Sequence, residues 1–128
     1  MRLLLDTCTF LWLIEGGARL SREARSLFAA AEHEVYLSAV SACEIAQKNE
    51  LGKLPLPNSA DLFIVTQRKL RGVEALPLDE DAALQVAKLP RLHRDPFDRM
   101  LICQAIVHGL TILTPDPQIS KYPVRTAW

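Results

Sequence analysis

The chain has 128 residues, of which 49% are hydrophobic and 23% charged, with 15 basic and 15 acidic side chains. Such a length and mixture exclude a disordered chain or a large multi-domain enzyme, and suit one domain over residues 1–128 with its own core. The zero net charge excludes a polybasic binder held to nucleic acid by bulk charge alone.

Residues 2–5 (RLLL) form a short apolar run ending at an acid, as expected of a strand buried on both faces of a parallel sheet. Arg2 and this run resemble a signal peptide only superficially, because Asp6 and Glu15 interrupt the apolar stretch. No run approaches the ~18 apolar residues of a membrane span. A soluble, cytoplasmic protein is expected. Residues 9–15 predict a helix stopped by Gly16-Gly17. Ser21 caps a second helix through about Ala31, and Val35–Leu37 is a second strand. Ser41 starts a helix that ends near Leu51, before Gly52. KLPLPNS at 53–59 is loop, followed by a helix over about 60–71 and a strand at Glu74–Leu76. Asp79 caps a helix over about 80–88, and Lys88–Arg94 is a basic connector. Pro96 opens an apolar helix through His108, ended by Gly109. Thr111–Leu113 is a strand, Pro115–Pro117 a turn, and Val124–Thr126 a last strand. This alternation predicts an α/β fold with a central, mostly parallel sheet of four to five strands and helices on both faces.

Cys8, Cys43 and Cys103 form no CxxC pair, and their odd number indicates no disulfide framework. They are expected to be buried small hydrophobes of a reducing compartment.

In open α/β sheets, ligands bind beyond the carboxyl ends of the strands. Asp6 follows the first strand, Glu44 lies early in the helix after the second, and Asp116 follows the fourth. Asp95 and Asp98 open the apolar helix before that fourth strand. Each acid has a plain structural alternative. Ser41-Ala-Cys-Glu44 reads as a capping box, Asp95 and Asp6 as helix caps, Asp98 as a dipole partner and Asp116 as a turn residue. Taken together, carboxylates converging at one sheet edge repel one another unless a cation neutralises them. Such hard oxygen donors suit Mg²⁺ or Mn²⁺ rather than zinc. No Ser/His/Asp set and no GxxxxGK[ST] phosphate loop is present, so an all-carboxylate site implies metal-assisted hydrolysis, typically of a phosphodiester.

These residues lie within LLLDT (3–7) with FLWLI, SAVSACEIAQKNELGKL (38–54), HRDPFDRMLICQA (93–105) and TPD (114–116). Over essentially its whole length the chain resembles PIN-domain ribonucleases of the VapC toxin type. The resemblance implies a three-layer α/β/α sandwich and Mg²⁺- or Mn²⁺-dependent endonucleolytic cleavage of RNA. It also implies a homodimer and a cognate VapB-type antitoxin. The family's metal-binding acids fall on Asp6, Glu44, Asp98 and Asp116, with Asp98 preferred to Asp95. Thr7 and Thr114 match small hydroxyl positions that orient water or a carboxylate. Asp95 either holds the helix start or joins the acids, and Arg99 either contacts phosphate or pairs with an acid. Cys8 and Cys43 depart from the family pattern, which often has a histidine and a large aromatic there.

Two basic clusters remain. Arg68, Lys69 and Arg71, and Lys88, Arg91 and Arg94, either are solvated helix faces or track RNA beside the acids. Trp12 reads as core or interface. If metal takes four of the 15 acids, 11 remain against 15 basic residues, a mildly basic remainder suited to a polyanion. Two other readings stay open. A phospho-receiver-like module wants an acid pair after the first strand, whereas Thr7 follows Asp6. An inactive PIN-fold binding module would lack one of the acids.

Overall fold

The computed structural model describes residues 1–128 and contains five strands and seven helices. The strands are β1 (Arg2–Leu5), β2 (Glu34–Ser38), β3 (Glu74–Leu76), β4 (Thr111–Leu113) and β5 (Thr126–Ala127). The helices are α1 (Thr7–Ile14), α2 (Arg22–Ala29), α3 (Ala39–Glu50), α4 (Ala60–Leu70), α5 (Glu80–Gln85), α6 (Pro96–His108) and α7 (Pro117–Ser120).

All strand pairings are parallel, in the order β3-β2-β1-β4-β5. β1 is central, and its Leu3, Leu4 and Leu5 are fully buried. Their side chains alternate between faces, as period-two geometry requires. Leu3 and Leu5 join Phe10 of α1, Ala24 of α2, Ile45 of α3, and Phe63 and Ile64 of α4. Leu4 joins Leu101, Ile102 and Ala105 of α6 with Ile112 and Ile119 on the other face. The result is the expected three-layer α/β/α sandwich. Each fully buried leucine contributes about 1.5–3 kcal/mol. Trp128 packs edge-on against Trp12 at 5.9 Å, beside the first core.

Several local expectations need correction. α3 starts at Ala39 and is capped by Ser38, whose Oγ accepts from the Val40 N–H at 2.9 Å. Glu44 therefore lies in the second turn, and Ser41-x-x-Glu44 is not a capping box. α1 begins at Thr7 rather than residue 9, because Asp6 is its cap. The expected helix over 80–88 ends at Gln85 and tightens into a 3₁₀ turn over Val86–Lys88. The proline turn opens α7, and the last strand forms at Thr126–Ala127 rather than 124–126. Cys8 and Cys43 are exposed and only Cys103 is buried, so two of the three thiols are not core residues. No helix is long and apolar enough to cross a membrane.

Candidate active site

Strand register builds the site. Leu5 is level with Leu37 of β2 and with Leu113 of β4. The next residues, Asp6, Ser38 and Thr114, therefore emerge side by side at the carboxyl edge. The chain moves from β1 to one side for β2 and β3, then returns to the other side for β4. The crevice between β1 and β4 is thus the switch point at which open α/β sheets bind ligands. Asp6 stands on one lip of it, and Thr114 and Asp116 on the other.

Asp6 is almost fully buried at the start of α1. One carboxylate oxygen accepts from the Thr9 N–H at 2.7 Å, and the other accepts from the Thr114 hydroxyl. Burial raises its pKa, the hydrogen bonds from Thr114 and Thr9 oppose that rise, and the charge on Asp116 adds to it. Glu44 is also buried. The Thr7 hydroxyl donates to its Oε1 at 2.7 Å, and the Lys48 ammonium donates to its Oε2 at 2.5 Å. The Ser41 hydroxyl lies 3.0 Å from that of Thr7.

α6 starts at the same edge, because its C-terminal Gly109, in the left-handed conformation, leads into the start of β4. Asp95 caps it, accepting from the N–H groups of Phe97 and Asp98 at 2.9 and 3.0 Å, with Pro96 at the first turn. Asp98 points to the His93 Nε2 at 3.1 Å. Burial drives the Asp98 carboxyl from 3.8 up to about 6, with Asp95 and Asp116 adding to the rise and His93 opposing it. Asp116 caps α7 by accepting from the Gln118 N–H at 2.9 Å, and its own N–H donates to Thr114 Oγ1 at 3.1 Å.

The four acids share one electrostatic neighbourhood. Asp116 acts on both Asp6 and Asp98. Although Cys8 is exposed at the surface, partial desolvation of its thiol raises the pKa, and the charges of Asp6, Glu44 and Asp98 raise it further. As the side chains stand, however, no three of them close around a single point. Glu44 is held toward Lys48 and Asp98 toward His93. The donors are hard oxygens from separate chain segments, and two of them are buried at a cost that a cation would relieve. The residues thus fit a divalent metal in chemistry, with rotation of Glu44 and Asp98 required to gather them.

Other candidates are divided by topology. Arg68, Lys69 and Arg71 end α4, which leads into the amino end of β3. In an all-parallel sheet that edge is opposite the acids, so this cluster does not flank them. Arg91 and Arg94 precede α6 at the acidic edge and line a cleft with His93 and Arg99. Arg99 makes no ion pair with an acid. Its guanidinium donates to the Pro90 carbonyl at 2.8 Å and to the Tyr122 hydroxyl at 3.1 Å.

Sequence reasoning passed over Lys48, His93 and Tyr122. The Tyr122 hydroxyl accepts from the Leu92 and His93 N–H groups at 3.2 and 3.1 Å and lies 2.8 Å from His93 Nδ1. Donation to Nδ1 leaves the proton on Nε2, directed at Asp98. Burial works against ionising Tyr122, but the surrounding hydrogen bonds outweigh it and lower its pKa to about 8. Lys48 had a signal: Glu followed four residues later by Lys is a favourable helical pair. Tyr122 had none, since only the fold brings it to His93. An apolar hollow lined by Val40, Cys43, Leu78, Phe97 and Met100 opens between α3 and α6, next in sequence to Glu44 and Asp98.

The family model of the PIN domain matches residues 3–124. Several solved structures are similar. VapBC2 from Rickettsia felis, bound to a promoter DNA fragment, superposes with TM-score 0.75 at 13% identity, covering 100% of this chain and 99% of that one. DNA-bound VapBC from Salmonella typhimurium gives 0.69 at 18% identity, covering 99% and 97%. VapBC-5 from Mycobacterium tuberculosis, of the VapBC family of toxin–antitoxin systems, gives 0.58 at 21% identity, covering 94% and 89%. No curated protein sequence matches the chain.

Proposed function

The chain belongs to the PIN-domain family, and from that premise we propose that it is a metal-dependent endoribonuclease, the VapC-type toxin of a toxin–antitoxin pair. One observation carries this reading. Four chain segments deliver Asp6, Glu44, Asp98 and Asp116 to one edge of a parallel sheet, around its switch point. Helix capping accounts for Asp6 and Asp116 one at a time, but like charges gathered at one edge repel one another, whereas a cation-dependent hydrolase requires them.

In this proposal the four acids hold one or two Mg²⁺ or Mn²⁺ ions. The bound ion supplies a water of lowered pKa and offsets charge on the phosphate. The protein's own residues do the rest. Thr114 and the Thr9 N–H fix Asp6, and Thr7 fixes Glu44. Tyr122 aligns His93, which orients Asp98. Asp95 holds the start of α6. Arg91 and Arg94 give the RNA backbone a basic approach on the acidic side. The neighbouring apolar hollow suits a base splayed from a single strand. A VapB-type antitoxin belongs to the same reading, supported by the likeness to VapBC assemblies, and a homodimer and a cytoplasmic setting complete it.

The test is direct. Purified protein should cut RNA with Mg²⁺ or Mn²⁺ and stop with EDTA. Asp6→Asn and Asp116→Asn should abolish cutting while circular dichroism stays that of the parent. Undiminished cutting by either variant would overturn the site assignment.

A further inference from the structure

Among the basic side chains, only Lys48 and His93 reach one of the four acids. The Lys48 side chain is 49% exposed and that of Glu44 only 9%, so the ammonium lies at the mouth and covers the outward carboxylate oxygen. The inward oxygen is held by Thr7. Glu44 is thus buried with a single counter-charge, and any cation that takes its outward oxygen must compete with Lys48. Lysine is suited to such competition, because its charge sits on a flexible four-carbon stem. Once released, the ammonium remains in the last turn of α3, with Asp95 also in its field. Arg99, next to Asp98 in sequence, is committed, since it braces Pro90 and Tyr122.

Building on the nuclease reading above, we propose that Lys48 is a displaceable counter-ion. Its ammonium neutralises Glu44 until a divalent cation takes that carboxylate, and it then contacts a phosphate of the bound RNA. The two roles have opposite signatures. Removing a competitor tightens metal binding, whereas removing a phosphate contact weakens the use of RNA. A residue that merely supported the fold would weaken both.

The experiment compares the full-length parent with Lys48→Met, Lys48→Gln and Lys48→Arg. Mn²⁺ is titrated by calorimetry without RNA, and cleavage is followed over a series of salt concentrations. The uncharged variants should bind Mn²⁺ roughly twofold to fivefold more tightly, the worth of a partly exposed ion pair. Their KM for RNA should rise, and the slope of log kcat/KM against log salt should shrink by about 0.7, one phosphate contact on a single strand. Lys48→Arg should restore the slope. Unchanged or weaker Mn²⁺ binding, or an unchanged salt slope, in folded Lys48→Met and Lys48→Gln would overturn the role of Lys48 alone. A parent that neither binds Mn²⁺ nor cuts RNA would overturn the nuclease reading and this inference with it.

Discussion

Asp98→Asn tests whether the acids burden the metal-free fold. The Asp98 carboxyl is pushed from 3.8 up to about 6, by burial first and then by Asp95 and Asp116. The folded protein therefore keeps a proton over a pH range in which the unfolded chain has released it. A folded state that binds more protons loses stability as pH rises. The penalty is absent below about pH 4, grows through the interval to about pH 6 and is complete above it. A displacement of that size corresponds to about 3 kcal/mol. The side chain is 21% exposed, so water screens part of it. About 1–2 kcal/mol remains after that discount. Loss of a charge from the first turn of α6 returns up to about 1 kcal/mol through the helix dipole. The net gain from Asp98→Asn at neutral pH is about 1 kcal/mol, or a few degrees in Tm. Urea denaturation in EDTA, repeated across that pH range, measures it. The variant's advantage should be near zero at the acid end and reach its full value at neutrality. With Mn²⁺ at about 100 times Kd, the parent should gain about 2.7 kcal/mol and become the more stable. A parent that is more stable than Asp98→Asn in EDTA at neutral pH, or a gap that does not change with pH, would refute the reasoning.

Thr114→Val removes the donor to buried Asp6 and the acceptor for the Asp116 N–H, and should cost about 2–3 kcal/mol by urea denaturation. It should also raise the Asp6 carboxyl further, moving the acid limb of the cleavage pH profile upward. Tyr122→Phe strands two backbone N–H groups and a guanidinium, and should cost about 2–4 kcal/mol. Amide hydrogen exchange at Leu92 and His93 should quicken in that variant while exchange in β1 does not.

Much of this architecture was legible because its signals are local. An apolar triplet ending at an acid marks β1 and Asp6, and a proline after Asp95 with a glycine after His108 brackets α6. The PIN motifs carried the acids. Errors arose where several residues could play one part. Ser41 and Glu44 read as a capping box for α3, whereas β2 runs to Ser38, opposite Leu76, and Ser38 is the cap. The Arg68–Arg71 cluster read equally as a solvated face or an RNA track beside the acids, because charge runs carry no record of direction. Only the parallel topology puts it at the far edge of the sheet. The Tyr122–His93–Asp98 chain was illegible for a different reason: its partners lie on separate elements and share no spacing rule.

The central place of β1 has a consequence for synthesis. β1 pairs with β2 on one side and β4 on the other, and Asp6 meets Thr114 across 108 residues of chain. At ordinary translation speeds, of about 5–20 residues per second, the first acid waits roughly 5–20 s for its last partner to be made. Closing such a long loop is also entropically costly and slows folding. A nascent chain therefore carries Asp6 without a pocket. The acidic edge is therefore complete only when β4 and α7 have joined the sheet.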